Sequence, residues 1–162
     1  MSCPMCRKNH DSTVDQALAA LAATGRRLQR MAQKLSPKQA SSRPAPGKWS
    51  AREIVCHLAD CELVYGVRYR KILSEQDPAL VAFDQDAWAA LYEKQRLKDA
   101  LAAFLTLRSG NLSLLKSVPK SEWDKSGLHP SYGKLTLRQL VLHLADHDKN
   151  HLANVGGPTA AG

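Results

Sequence analysis

Long apolar runs are missing: no stretch of the 162-residue chain supplies the roughly 20 uninterrupted apolar residues of a membrane-spanning helix. Helical membrane proteins are excluded on that ground. The opening MSCPMCRKNHDS also lacks the apolar core of a secretory signal, so a cytoplasmic protein is expected. Cysteine is scarce. Cys3, Cys6, Cys56 and Cys61 do not form the disulfide framework of a small secreted domain, and free thiols are expected instead. Aromatic residues make up only 6% of the chain and do not interleave with the basic ones, as they would in a binder of single-stranded nucleic acid. No alternating apolar and polar pattern of useful length appears, so no sheet is expected.

What remains is one domain's worth of chain, long enough to bury a core unaided. The formal net charge of +8 is spread from Arg26 through Arg52, Arg68 and Lys71 to Lys116–Lys134. We read it as a solvated surface rather than a nucleic-acid interface, although long-range attraction of anions follows from it in either case. Residues 1–11 are expected to form a flexible leader, residues 12–156 the folded domain and residues 157–162 a tail.

Helical periodicity dominates the domain. The first helix is predicted from near Ser12 to Lys34, with Val14, Leu18, Leu21, Leu28 and Met31 on one stripe. Ser36 to Lys48 carries three prolines and a glycine and reads as a loop. The second helix has a sharp start: Ser50 as N-cap, Glu53 as its capping-box partner, and Trp49 with Ile54 as hydrophobic staple. It stops before Asp77-Pro78. A short extra helix around Asp84 to Glu93 precedes a third long helix over Leu97 to Ser117, whose core face is Leu101, Phe104, Leu105, Leu112 and Leu115. The fourth begins at Thr136 as N-cap, with Gln139 as box partner, and closes at Gly156-Gly157-Pro158. Four long helices and little else give an all-α, four-helix bundle.

The second and fourth helices repeat one another. Lys48-Trp-Ser-Ala-Arg-Glu-Ile-Val-Cys-His-Leu-Ala-Asp60 aligns without a gap with Lys134-Leu-Thr-Leu-Arg-Gln-Leu-Val-Leu-His-Leu-Ala-Asp146. We read this as two related helix pairs that face each other across a pseudo-twofold axis.

Histidine carries the chemical signal. His143, His147 and His151 recur at steps of four along the fourth helix, and such a row supplies two ligands to one ion. At about 100° per residue, His151 falls inside the apolar stripe of Leu137, Leu140, Val141, Leu144 and Leu152, and His147 on its flank. His143 lies further round, although the repeat aligns it with His57. His57 flanks the stripe of the second helix in the same sense, so packing these helices together points His57 toward His147 and His151. Three neutral imidazoles with an open coordination position are the arrangement in which a divalent ion activates a water or thiol. Zinc is favoured, while nickel and iron also accept imidazole. Asp148 falls in the middle of the stripe and needs a partner, which is either a ligating histidine or another buried polar group. For each histidine a purely structural hydrogen-bonded role stands beside the ligand reading. His10 and His129 are expected to be solvated. Cys3-Pro-Met-Cys6 with His10 has the spacing of half a zinc knuckle, but no second half is visible, since Cys56 and Cys61 face different ways on their helix.

Taken together, Gly47-Lys-Trp-Ser-Ala-Arg-Glu-Ile, His57-Leu-Ala-Asp, Phe83-Asp-Gln-Asp-Ala-Trp88 and His147-Asp-Lys-Asn-His151-Leu-Ala resemble the DinB-like (YfiT-like) superfamily of metal-dependent enzymes. The resemblance spans Trp49 to Val155. It implies a four-helix bundle, often homodimeric, with a divalent ion on His57, His147 and His151. It also implies a small-molecule substrate and either hydrolysis or transfer of a low-molecular-weight thiol such as mycothiol or bacillithiol. A non-catalytic module braced by its ion is the alternative. The resemblance says nothing about Cys3 and Cys6.

Overall fold

The computed structural model describes residues 13–155. The leader with Cys3, Cys6 and His10, and the Gly156-Gly157-Pro158 stop, lie outside the described residues. Thr13 caps helix α1 (Val14–Ala32) in a reciprocal box with Gln16, and Leu18, Leu21 and Leu28 form its buried stripe. Helix α2 (Pro37–Ser41) interrupts the segment expected to be a loop throughout. Its cause is local: Ser36 and Gln39 close a capping box, and Pro37 stands at the first helical position, where a missing N–H costs nothing.

Helix α3 (Ala51–Ser74) starts as its capping box dictates, with the Ser50 N–H donating to Glu53 Oε2 at 2.7 Å and the Glu53 N–H to Ser50 Oγ at 3.3 Å. Burial acts to raise the Glu53 pKa, but hydrogen bonds from Arg43 and Ser50 outweigh it and hold the carboxyl down to about 2. The expected extra helix resolves into α4 (Gln85–Ala89), capped by Asp84, and a separate turn of 3-10 helix over Tyr92–Lys94. Helix α5 (Leu97–Lys116) buries Phe104, Leu112 and Leu115, while Leu101 and Leu105 are half-buried. Helix α6 (Leu137–Val155) begins after Thr136, which exchanges hydrogen bonds of 3.1 and 2.9 Å with Gln139.

Both α1 and α3 pack between α5 and α6. Helices α1 and α3 therefore sit diagonally across the bundle, as do α5 and α6, and the connections that precede α3 and α6 cross its ends. One buried cluster joins Leu21, Tyr69, Leu115, Leu137, Leu140 and Leu144, and a second joins Leu28, Leu58, Tyr92, Phe104 and Leu152. Each such side chain contributes about 1.5–3 kcal/mol on burial. The second cluster packs against Trp49 and so ties the start of α3 to the end of α6.

One element departs from the all-helical expectation. Strands β1 (Ser126–His129) and β2 (Gly133–Thr136) form an antiparallel hairpin with Leu128 opposite Lys134. Four-residue strands are too short to show a period, and the turn reverses through Gly133 at φ 72°. The hairpin is docked by backbone bonds from Leu80 N–H to Leu128 O (2.9 Å) and from Leu128 N–H to Pro78 O (2.8 Å). Gly127 permits this approach, because a Cβ there would lie 2.5 Å from Leu80 Cδ2 and 2.9 Å from Pro78 O.

Candidate metal centre

The capping box sets the register of α3, and that register turns His57 inward at 1% exposure. Across from it, α6 presents His147 and His151 one turn apart, both half-buried. One nitrogen from each of the three rings lies within 4.8 Å of the other two, and His57 Nε2 is 3.0 Å from His147 Nε2. Among the described residues this is the one His, Cys, Asp and Glu grouping with the geometry to hold a metal. The Trp49 indole stacks on His151 at 6.0 Å and 14°, and stands 4.9 Å from the His57 ring, so the residue that staples α3 also positions two imidazoles.

Electrostatics keeps the His57 and His151 rings neutral. Burial, then the neighbouring histidines, bring His57 down to about 3, and burial with His147 brings His151 to about 4. Unprotonated nitrogen lone pairs are what a cation requires. Two buried atoms beside the cluster lack partners: His147 Nδ1 and Asp148 Oδ1, 4.0 Å apart and so beyond hydrogen-bond range. The donor set, the spacing and this orphaned pair fit a divalent ion, whose imidazole ligands characteristically pass their other N–H to a carboxylate.

Asp148 is buried as its phase requires, and its partner is Arg108 of α5, whose Nη2 stands 2.8 Å from Asp148 Oδ2. The same guanidinium lies 2.9 Å from Glu62 Oε1 and donates to Leu21 O at 2.7 Å, while Asn111 donates to Glu62 Oε2 at 3.0 Å. Burial acts to raise the Asp148 pKa, but His147 and Arg108 overcome it and hold the carboxyl below the usual carboxylate range. One guanidinium thus serves two carboxylates in a dry interior directly behind the histidines.

A cavity of about 280 Å³ opens on His57 and His147 and is walled by Cys61, Tyr65, Arg68, His129, Tyr132 and His143. A second, of about 410 Å³, reaches His151 past Trp49 and Ile54. A third, of about 650 Å³ between Leu35, Pro37, Leu97 and Leu101, touches none of the histidines and has no part in this site. His143 stands in the cavity wall, stacked on Tyr65 at 6.5 Å and 13°, outside the cluster.

Two residues of the wall correct or extend the sequence expectations. His129, expected to be solvated, is 5% exposed, because the hairpin folds it under Tyr132 and against Arg68. Burial and then the Arg68 charge lower its pKa. Cys61 lies with its Sγ 3.5 Å from His57 Nε2, and burial pushes its thiol up, so it is a neutral neighbour. In the sequence Arg68 reads only as part of the dispersed positive charge. Its signal was there: Cys61, Tyr65, Arg68 and Ile72 follow one another at helical steps of four, three and four, which puts an arginine inside an apolar stripe.

The sequence pattern of the DinB superfamily matches residues 11–155. This chain belongs to the DinB superfamily. Among its DinB-superfamily relatives, a proposed metal-dependent hydrolase of Bacillus licheniformis is 28% identical over 131 residues, covering 79% of this chain and 74% of the relative. In solved structures the fold is similar to that of YfiT from Bacillus subtilis, described as a metal-dependent hydrolase with an unusual four-helix bundle topology, at a TM-score of 0.83 and 22% identity over 91% of this chain and 89% of that one. The mycothiol-dependent maleylpyruvate isomerase shares it at a TM-score of 0.74 and 9% identity, over 91% of this chain and 62% of the isomerase. At these identities the two structures speak for the fold alone.

Proposed function

We propose that this DinB-superfamily protein is a metal-dependent hydrolase of a small molecule, with its divalent ion held by His57, His147 and His151. The convergence of three imidazoles from α3 and α6, two of them lining one cavity and the third a second, is the observation that carries this reading. Zinc is the ion we assign, since it combines three imidazoles with an open position in catalytic sites. When bound, such an ion polarises a substrate carbonyl and lowers the pKa of water so that a nucleophile is available near neutral pH.

The chain's own residues prepare that chemistry. His57 is locked by burial and by Trp49, which leaves only its Nε2 edge directed at His147. Asp148 acts on the reaction through His147: anchored by Arg108 through one oxygen, it holds the other 4.0 Å from His147 Nδ1, where a small ring movement on metal binding would bring the Nδ1–H into a hydrogen bond that fixes tautomer and ring. Tyr65, Tyr132 and His143 line the cavity beside them. Relatives described as metal-dependent hydrolases favour water as the nucleophile. A low-molecular-weight thiol in its place is the second reading, which the fold shared with a mycothiol-dependent enzyme favours.

The test is an activated ester or amide assayed with metal-stripped protein while zinc, nickel or iron is titrated back, with and without an added thiol. Turnover that saturates at one ion per chain without thiol supports hydrolysis, and turnover only with thiol supports transfer. A metal that raises stability without turnover would leave the non-catalytic module. Titration with DNA at several salt concentrations tests the solvated-surface reading of the charge, which predicts no steeply salt-dependent binding.

A further inference from the structure

Arg68 is a 95% buried cation that faces no carboxylate within ion-pair distance among the described residues. Its Nε donates to Val81 O at 2.9 Å, its guanidinium lies 4.9 Å from the Tyr65 ring centroid, and its Nη2 lies 3.2 Å from His129 Nε2. Nη1 makes no hydrogen bond within the described structure. The other ring nitrogen of His129, Nδ1, faces the Ser131 N–H at 3.2 Å. Guanidinium and peptide nitrogens only donate, and a neutral imidazole carries one N–H. In either tautomer, therefore, one of the two contacts sets a donor against a donor. An external acceptor relieves this conflict: with Nδ1 accepting from Ser131, Nε2–H and the guanidinium both turn their hydrogens to the same anion.

We propose that Arg68 and His129 form a carboxylate-binding subsite in the cavity that opens on His57 and His147, so that the substrate is a small carboxylic acid derivative held by its acid group with its reactive part toward the histidines. A carboxylate suits the charge, because one guanidinium with a neutral imidazole offers a single positive charge to a single negative one. It suits the shape, because a guanidinium edge matches two carboxylate oxygens. The volume of about 280 Å³ lies just below the usual range of ligand cavities, about 300 to 1,000 Å³, so it admits only a small ligand, and the tyrosine walls suit a compact apolar body. The hairpin gains a purpose in this account, since it carries His129 and Ser131 to the cavity and is pinned there through Gly127. The substrate assignment rests on the proposed function, whereas the anion subsite stands without it.

The experiment measures binding of benzoate, benzamide and phenyl phosphate to the full chain by calorimetry, with metal present, after chelation, and in Arg68→Met and His129→Phe variants. The subsite predicts benzoate at least about tenfold tighter than benzamide, a preference kept after chelation and abolished in Arg68→Met. Benzoate and benzamide binding alike would overturn it. So would a benzoate preference that disappears with the metal, which would place the carboxylate on the ion, or phenyl phosphate binding more tightly than benzoate. The wild-type comparison needs no variant to fold, and Arg68→Met is read only after its circular dichroism matches wild type, with His129→Phe as the independent probe. A benzoate preference in a protein that takes up no metal would sustain the subsite and defeat the hydrolase reading. Metal-dependent turnover without that preference would do the reverse.

Discussion

Two arginines, Arg68 on α3 and Arg108 on α5, are buried to nearly the same degree, at 5% and 4% exposure, yet their surroundings are opposite. Arg108 is enclosed by Glu62, Asp148 and the Leu21 carbonyl, so the protein itself supplies its counter-charge, although its Nε makes no hydrogen bond. Arg68 has a carbonyl, an aromatic face and a histidine that conflicts with it, and it borders a cavity. Burial alone therefore does not tell a structural charge from a functional one. What separates them is whether the protein itself supplies the counter-charge.

The contrast breaks most visibly on stability. Arg108→Met leaves two carboxylates uncompensated in the interior, and urea unfolding should show a loss of about 3–5 kcal/mol. A smaller loss would mean that water or a rearranged side chain already serves Glu62 and Asp148. Acid should act next. His57 and His151 have folded pKa values near 3 and 4, below the usual 6.5, so the unfolded state binds more protons across this window. Stability of metal-stripped protein is then full above about pH 6.5 and declines as pH falls from there toward 4, which thermal melts across that range would register. Asp148, depressed in the folded state, adds to the loss at still lower pH as it protonates. Ser50→Ala, which removes a cap without touching either arginine, should cost about 1 kcal/mol by the same unfolding measurement. Arg68→Met should have the smallest effect, within about 1 kcal/mol of wild type, because it replaces a cation lacking its counter-charge with an apolar chain of similar length. A loss as large as that of Arg108→Met would erase the distinction between the two.

Much of this arrangement was legible in the residues. The Ser50–Glu53 and Thr136–Gln139 boxes fixed the registers of α3 and α6, and from them phase alone turned His57, His147 and His151 toward one another and left His143 aside. The internal repeat pointed the other way, pairing His57 with His143, which stands outside the cluster. The hairpin escaped notice since strands of four residues carry no period and its docking depends on Pro78 and Leu80, far away in sequence. His129 was misjudged for the same reason: its burial is made by the hairpin. The Ser36–Gln39 box was visible but lay among prolines that suggested a loop. That Arg108 answers Asp148 could not be read from sequence at all, as it depends on which helices are neighbours, and the diagonal placement of α1 with α3 and of α5 with α6 is a tertiary result.

The central claim is that His57, His147 and His151 bind one divalent ion, and elemental analysis of purified protein beside a His147→Ala, His151→Ala double variant tests it most directly. The account predicts about one equivalent of metal per wild-type chain and its loss in a variant that remains helical. Equal metal content in the two proteins, or none in wild type after dialysis against zinc, would contradict it.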